Sequence, residues 1–129
     1  MLLKPKIKSK KLGDLGEKLA VKFLRKKRYK IIERNYLKPW GELDIVAIAP
    51  DKSLVIVEVK TMREYFRDGI KPEDHLTHTK LHRLKRTASL YAGERQDLIK
   101  DVVGWRIDLV AIVMGEEDKP VSVAHYENI

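Results

Sequence analysis

Two short segments, G-E-L-D at 41–44 and E-V-K at 58–60, place three carboxylates and a lysine at the ends of runs that are otherwise apolar. The runs, E-L-D-I-V-A-I-A and S-L-V-I-V-E-V-K, have the β-branched density of strands buried on both faces, an environment that should exclude charge. Side chains alternate along a strand. Glu42, Asp44, Val46 and Ile48 are therefore expected on one face of the first run, and Leu54, Ile56, Glu58 and Lys60 on one face of the second. The opposite faces, Leu43, Ile45, Ala47 and Val55, Val57, Val59, are wholly apolar. A hairpin closing over Pro50, Asp51 and Lys52 sets Asp44 opposite Glu58 and Glu42 opposite Lys60, with paired Cβ atoms about 4.5–5.5 Å apart.

Carboxylates facing each other in a half-buried sheet repel and are costly to desolvate, and one lysine does not neutralise three acids. A divalent cation resolves the conflict. Oxygen donors without cysteine suit Mg²⁺ or Mn²⁺ rather than zinc, and leave coordination positions for water and a substrate phosphate. Asp44 and Glu58 are the expected ligands, with Glu42 a weaker candidate and Lys60 the cation that orients attacking water or stabilises developing charge. That combination describes phosphodiester hydrolysis. The bland alternative is a pair of solvated strand ends, with Asp44 in a surface ion pair.

Two predicted helices frame these strands. Leu12, Leu15, Leu19 and Phe23 recur at helical spacing up to about Lys27, with Gly13 and Gly16 weakening its start. Y-K-I-I-E-R-N-Y precedes the two charged strands, and the three form a meander. A polar loop containing Gly69 and Pro72 runs to about Thr77; Leu81, Leu84, Ala88 and Tyr91 then mark a second helix, with Gly93 near its end. W-R-I-D-L-V-A-I-V and V-S-V-A-H-Y read as two further strands. The predicted fold class is α/β, a mixed sheet of about five strands flanked by helices. Residues 12–129 are expected to form one domain behind a basic arm, residues 1–11, that carries Lys4, Lys6, Lys8, Lys10 and Lys11.

Lysine and arginine total 27 against 19 acids, a formal charge of +8, which attracts polyanions before any specific contact forms. Nucleic acid, DNA first, is the expected partner; ordinary solubilising charge is the alternative. The absence of cysteine excludes disulfides, thiolate catalysis and cysteine zinc sites. No apolar run approaches a membrane span, and a cytoplasmic protein is expected. On the second helix Lys80, His82, Lys85 and Arg86 are candidates for phosphate contact. His78 and His82, with His75 nearby, have zinc-binding spacing but no accompanying helical carboxylate. Asp108 in R-I-D-L-V-A-I echoes Asp44 in E-L-D-I-V-A-I; with no acid-x-Lys strand after it, it is expected to be structural, paired with Arg106 or a helix end. Trp40 and Tyr36 could stack on bases or simply pack. Tyr65 and Phe66, in the polar loop, could cover a substrate.

The order of Glu17, G-E-L-D and E-V-K resembles the PD-(D/E)-x-K nuclease superfamily. Asp44 matches its aspartate, and Glu58 with Lys60 matches its second motif. The segments L-G-E-K-L-A, I-I-E-R-N-Y, W-G-E-L-D-I-V-A, V-I-V-E-V-K-T, K-L-H-R-L and R-I-D-L-V-A-I are similar to the YraN-like family over about residues 12–113. The resemblance implies a restriction-endonuclease-like fold and a Mg²⁺- or Mn²⁺-dependent endonuclease acting on DNA, branched or single-stranded. A further likeness, to archaeal Holliday junction resolvases, implies that Glu17 joins Asp44 and Glu58 at the metal, through water. Helical geometry permits this, since Glu17 falls at the border of the Leu12, Leu19, Phe23 face; it equally permits an exposed helix acid. Leu43, not proline, precedes Asp44, a departure from the pattern that gives the superfamily its name. A non-catalytic nucleic-acid-binding protein and an interaction module with internally paired acids are the other readings. Duplex cleavage needs two sites, which a homodimer would supply.

Overall fold

The computed structural model describes residues 3–64 and 69–129, with side chains described from Lys11 onward; Tyr65 and Phe66 lie outside the described residues. In chain order the elements are α1 (Leu3–Lys26), β1 (Lys30–Lys38), β2 (Gly41–Ile48), β3 (Leu54–Arg63), α2 (His78–Glu94), β4 (Trp105–Met114) and β5 (Pro120–Tyr126). The sheet order is β1-β2-β3-β4-β5, with β3 and β4 parallel and every other neighbouring pair antiparallel. A parallel pair needs a crossover, and α2 provides it. This is the expected α/β architecture, a mixed five-stranded sheet with a helix on each face, consistent with a restriction-endonuclease-like fold.

Helix α1 begins nine residues before Leu12, through the stretch that the sequence assigns to a basic arm. Lysines are good helix formers, and Pro5 falls in the first turn, where the missing N–H has no intrahelical partner to lose. The helix ends by Lys26, after which Arg28 takes a left-handed φ of 68° and turns the chain into β1. Helix α2 starts at a Thr77 N-cap whose hydroxyl accepts the Lys80 N–H at 3.3 Å.

Each face of the sheet carries its own core. Ala20, Val21 and Leu24 of α1 pack on Ile45, Ala47, Val55, Val57, Val110 and Ile112. Leu84, Ala88 and Tyr91 of α2 pack on Tyr36, Leu43, Val46, Leu54, Ile56 and Ile107. From Ile45–Val57 to Ile48–Leu54 the β2–β3 register matches the prediction, and over Pro50, Asp51 and Lys52 the Ala49 N–H donates to the Ser53 carbonyl at 2.9 Å. The ladder ends at Ile45–Val57, so the predicted cross-strand pairs Asp44–Glu58 and Glu42–Lys60 do not form.

The expected alternation fails at one position. Leu43 belongs to the α2-side core with Val46, not to the face of Ile45 and Ala47. From Gly41 to Leu43 strand β2 follows β1, which bulges between Ile31 and Glu33 and takes a left-handed φ of 53° at Asn35. Such irregularities increase local twist and re-aim side chains.

Gly16 sets the approach of α1 to the sheet. A Cβ there would lie 1.9 Å from Thr61 Oγ1 of β3, whereas one at Gly13 would meet nothing within 4 Å. In a helix, alanine is favoured over glycine by about 1 kcal/mol, and overpacking costs about 1–3 kcal/mol. Gly13→Ala is therefore expected to stabilise the protein and Gly16→Ala to destabilise it, by about 1–2 kcal/mol, in urea unfolding at unchanged m-value. Equal stabilisation by both would remove the close contact.

Candidate active site at a fork in the sheet

The β2–β3 ladder stops at Ile45–Val57. Beyond it β2 stays with β1, through Leu43–Tyr36 and Glu42–Leu37, while β3 stays with β4, through Glu58–Leu109 and Lys60–Ala111. The two strands that carry the acids thus diverge just where the acids begin. A backbone N–H left without a ladder partner at such a fork needs another acceptor. Asp44 supplies it: its Oδ2 accepts the Val59 N–H at 2.8 Å.

Glu58 sits inside the fork with its side chain only 16% exposed, 3.6 Å from Lys60 Nζ. Burial, then the hydrogen bond and charge of Asp44, push the Glu58 carboxyl up to about 9, with Lys60 opposing. Desolvation and a neighbouring like charge both favour the protonated form of Glu58.

Glu17 arrives from α1, its side chain 14% exposed. Burial raises its carboxyl to about 7, and Asp44 is the largest charge acting in the same direction, against the pull of Arg34. Arg34 reaches it at only 4.0 Å. With its amide nitrogen turned inward, Asn35 donates to the two Glu17 oxygens at 2.9 and 3.3 Å, an arrangement that fixes the acid's position without neutralising it.

On the α2 side the fork opens into a cavity of about 590 Å³ that Glu42, Glu58, Lys60, Lys80, Arg83 and Trp40 help to line. Arg83 is absent from the sequence-derived set. Lys80, Arg83, Leu84 and Thr87 form one helical stripe along this wall, a face that the spacing of polar residues alone does not single out. His82, Lys85 and Arg86 are exposed on α2 but do not line the cavity.

Asp108, the echo of Asp44, offers a direct contrast. It is fully buried and accepts from Arg106 Nε at 2.9 Å and the Asn128 N–H at 3.0 Å, with His125 Nε2 at 2.8 Å. Burial would raise its carboxyl, but the bonds from His125, Arg106 and Asn128 hold it below the ordinary carboxylate range. Among the described residues, Asp108, His125 and Glu127 form the only trio of ligating atoms within 4.8 Å of one another. Arg106 and Lys27 already occupy those atoms, at 3.3 Å from Glu127 and 2.6 Å from His125. This network is a satisfied structural joint that ties the C-terminus to β4, as the sequence suggested for Asp108. Glu17, Asp44 and Glu58 are less tightly gathered and far less neutralised. Their donor set is oxygen only, and Glu58 lines the cavity, a combination that fits a hard cation retaining several of its waters.

Residues 16–112 match the model of the Uncharacterised protein family UPF0102. The chain belongs to the UPF0102 family. It is 39% identical over 120 residues to a UPF0102 protein of Syntrophomonas wolfei, an alignment covering 93% of this chain and 97% of that protein. A UPF0102 protein of Dictyoglomus thermophilum is 36% identical over 111 residues, 86% and 89% of the two chains, and one of Thermodesulfovibrio yellowstonii is 38% identical over 117 residues, 91% and 93%. The UPF0102 segment begins at Gly16 and so contains Glu17, Asp44, Glu58, Lys60 and all of α2, whereas β5 and the His125–Glu127 half of the structural joint fall outside it.

Proposed function

We propose that this UPF0102 protein is a Mg²⁺- or Mn²⁺-dependent endonuclease that hydrolyses phosphodiester bonds in DNA, with branched or single-stranded substrates foremost. The observation that carries this reading is Glu58: a carboxyl pushed up to about 9 by burial and Asp44, beside Lys60, in the lining of a cavity that Lys38, Lys80 and Arg83 also line. Asp44 and Glu58 would hold the ion directly, and Glu17 through water. Once bound, Mg²⁺ or Mn²⁺ supplies charge that polarises the scissile phosphate and acidifies the attacking water. Lys60 orients that water or stabilises charge developing on the phosphate oxygens. Lys80 and Arg83 receive the flanking phosphates.

The rest of the surface agrees with a polyanionic substrate. Lys18, Lys22, Arg25, Lys26 and Arg34 line a groove of about 450 Å³ along α1 that contains no acid. Arg34 joins this groove to Glu17. The groove also favours a second reading, a nucleic-acid-binding protein without catalysis, because phosphate contacts alone suffice for non-specific binding. No described helix is long and apolar enough to cross a membrane.

The two readings separate in one experiment. Purified protein is incubated with labelled single-stranded, duplex, flapped and four-way DNA, with Mn²⁺, with Mg²⁺ and with chelator. Ion-dependent scission of at least one substrate is expected. Salt-sensitive retardation without scission would leave the binding protein, and no response to any substrate would leave an interaction module.

A further inference from the structure

The rim of the cavity carries an apolar feature that phosphate chemistry does not use. Strand β1 pairs with β2 through Lys38 and Gly41, so the turn between them is only Pro39 and Trp40. Leu37 is 72% exposed and Trp40 47%, and both line the cavity that holds Glu58 and Lys60. Exposed apolar side chains gathered together and rimmed by polar residues mark binding grooves.

The mounting of the turn is rigid. Pro39 fixes its own φ, and Gly41 is pressed against α2 so closely that a Cβ there would lie 2.1 Å from Thr87 Oγ1. Trp40 therefore stands in solvent on a backbone that cannot easily withdraw it, a platform that loses little freedom when covered. Lys38, Lys60, Lys80 and Arg83 line the same cavity, with Glu42 and Glu58 the two acids in its lining. That cationic rim, on a chain of net charge +8, disfavours a second copy of the protein and favours a polyanion carrying an aromatic face. Bases in a closed duplex are stacked on one another and offer no face to Trp40; an unpaired base does.

We propose that Trp40, flanked by Leu37, is a stacking platform for an unpaired nucleobase, so that single-stranded or locally opened nucleic acid enters the cavity in preference to closed duplex. This rests on the nucleic-acid reading above but not on scission. Stacking of this kind is worth about five- to 150-fold in affinity per base.

The test uses the full chain in chelator, where nothing is cut. Affinity for a labelled oligothymidine and for a duplex of equal length is read by fluorescence anisotropy. Trp40→Ala is expected to weaken the single strand about tenfold and the duplex less than twofold, with Trp40→Phe close to the parent. Because the chain has two tryptophans, Trp105→Phe leaves Trp40 as the sole indole emitter, and its emission is expected to be quenched by the single strand and not by the duplex. Equal losses on both ligands, an unchanged Trp40 emission on binding, or sedimentation as a dimer that Trp40→Ala dissolves would each overturn the proposal. A protein that passes these tests but never cleaves DNA keeps the platform and loses the nuclease. One that cleaves with no response to Trp40→Ala does the reverse.

Discussion

Asp44→Asn and Lys60→Ala are each expected to lower the initial rate of DNA scission by about 10²–10⁴-fold at saturating Mn²⁺, the range seen when a single charged group of a catalytic site is removed. The structure makes Asp44→Asn an informative change. The amide oxygen of asparagine can still accept the Val59 N–H, so the fork keeps its tie and only the charge is lost. Lys60→Ala removes a cation that borders a cavity and leaves both cores untouched. Unfolding midpoints near the parent's, with scission abolished, are the expected pair of results. Undiminished scission in both variants would place the chemistry elsewhere.

Glu58→Gln should separate stability from activity, abolishing scission while stabilising the fold at alkaline pH. The sign follows from the raised carboxyl. The folded state holds a proton on Glu58 up to about pH 9, while the unfolded chain releases it near its ordinary value of 4.5. Between those limits the native state binds more protons, so unfolding free energy falls as pH rises. Glu17 acts in the same sense up to about pH 7. In chelator, urea unfolding at pH 5.5, 7 and 8.5 is expected to show steadily declining stability for the parent. Glu58→Gln removes the decline above pH 7 and gains about 1–3 kcal/mol at pH 8.5. A difference between the two proteins that does not grow with pH would show that Glu58 ionises freely in the folded state.

The element order and the β2–β3 register were legible because local chemistry decided them. A three-residue turn over Pro50, Asp51 and Lys52 leaves a single pairing that keeps Val55 and Val57 inside, and the side-chain period of two does the rest. The fork itself was not legible. It depends on β2 and β3 each preferring its outer neighbour past Ile45 and Val57, a choice made by tertiary packing. The misplaced face of Leu43 has the same origin, in the bulge and the Asn35 conformation of the adjacent strand. Selecting His82, Lys85 and Arg86 with Lys80 followed the polarity of α2. Arg83 was missed because only the sheet beneath the helix shows which polar stripe faces the cavity. Asp108 could be read because Arg106, its partner, stands on the same face of the same strand.

The two tight glycine contacts bear on accuracy of placement. A rod that rocks about a point of contact moves its far end most and the pivot hardly at all. Gly16 approaches Thr61 one residue before Glu17, and Gly41 approaches Thr87 one residue before Glu42, so each helix meets its strand most closely beside one of these acids. A pivot at these two contacts leaves Glu17 and Glu42 nearest the still point, the placement that a site built on rigid elements requires.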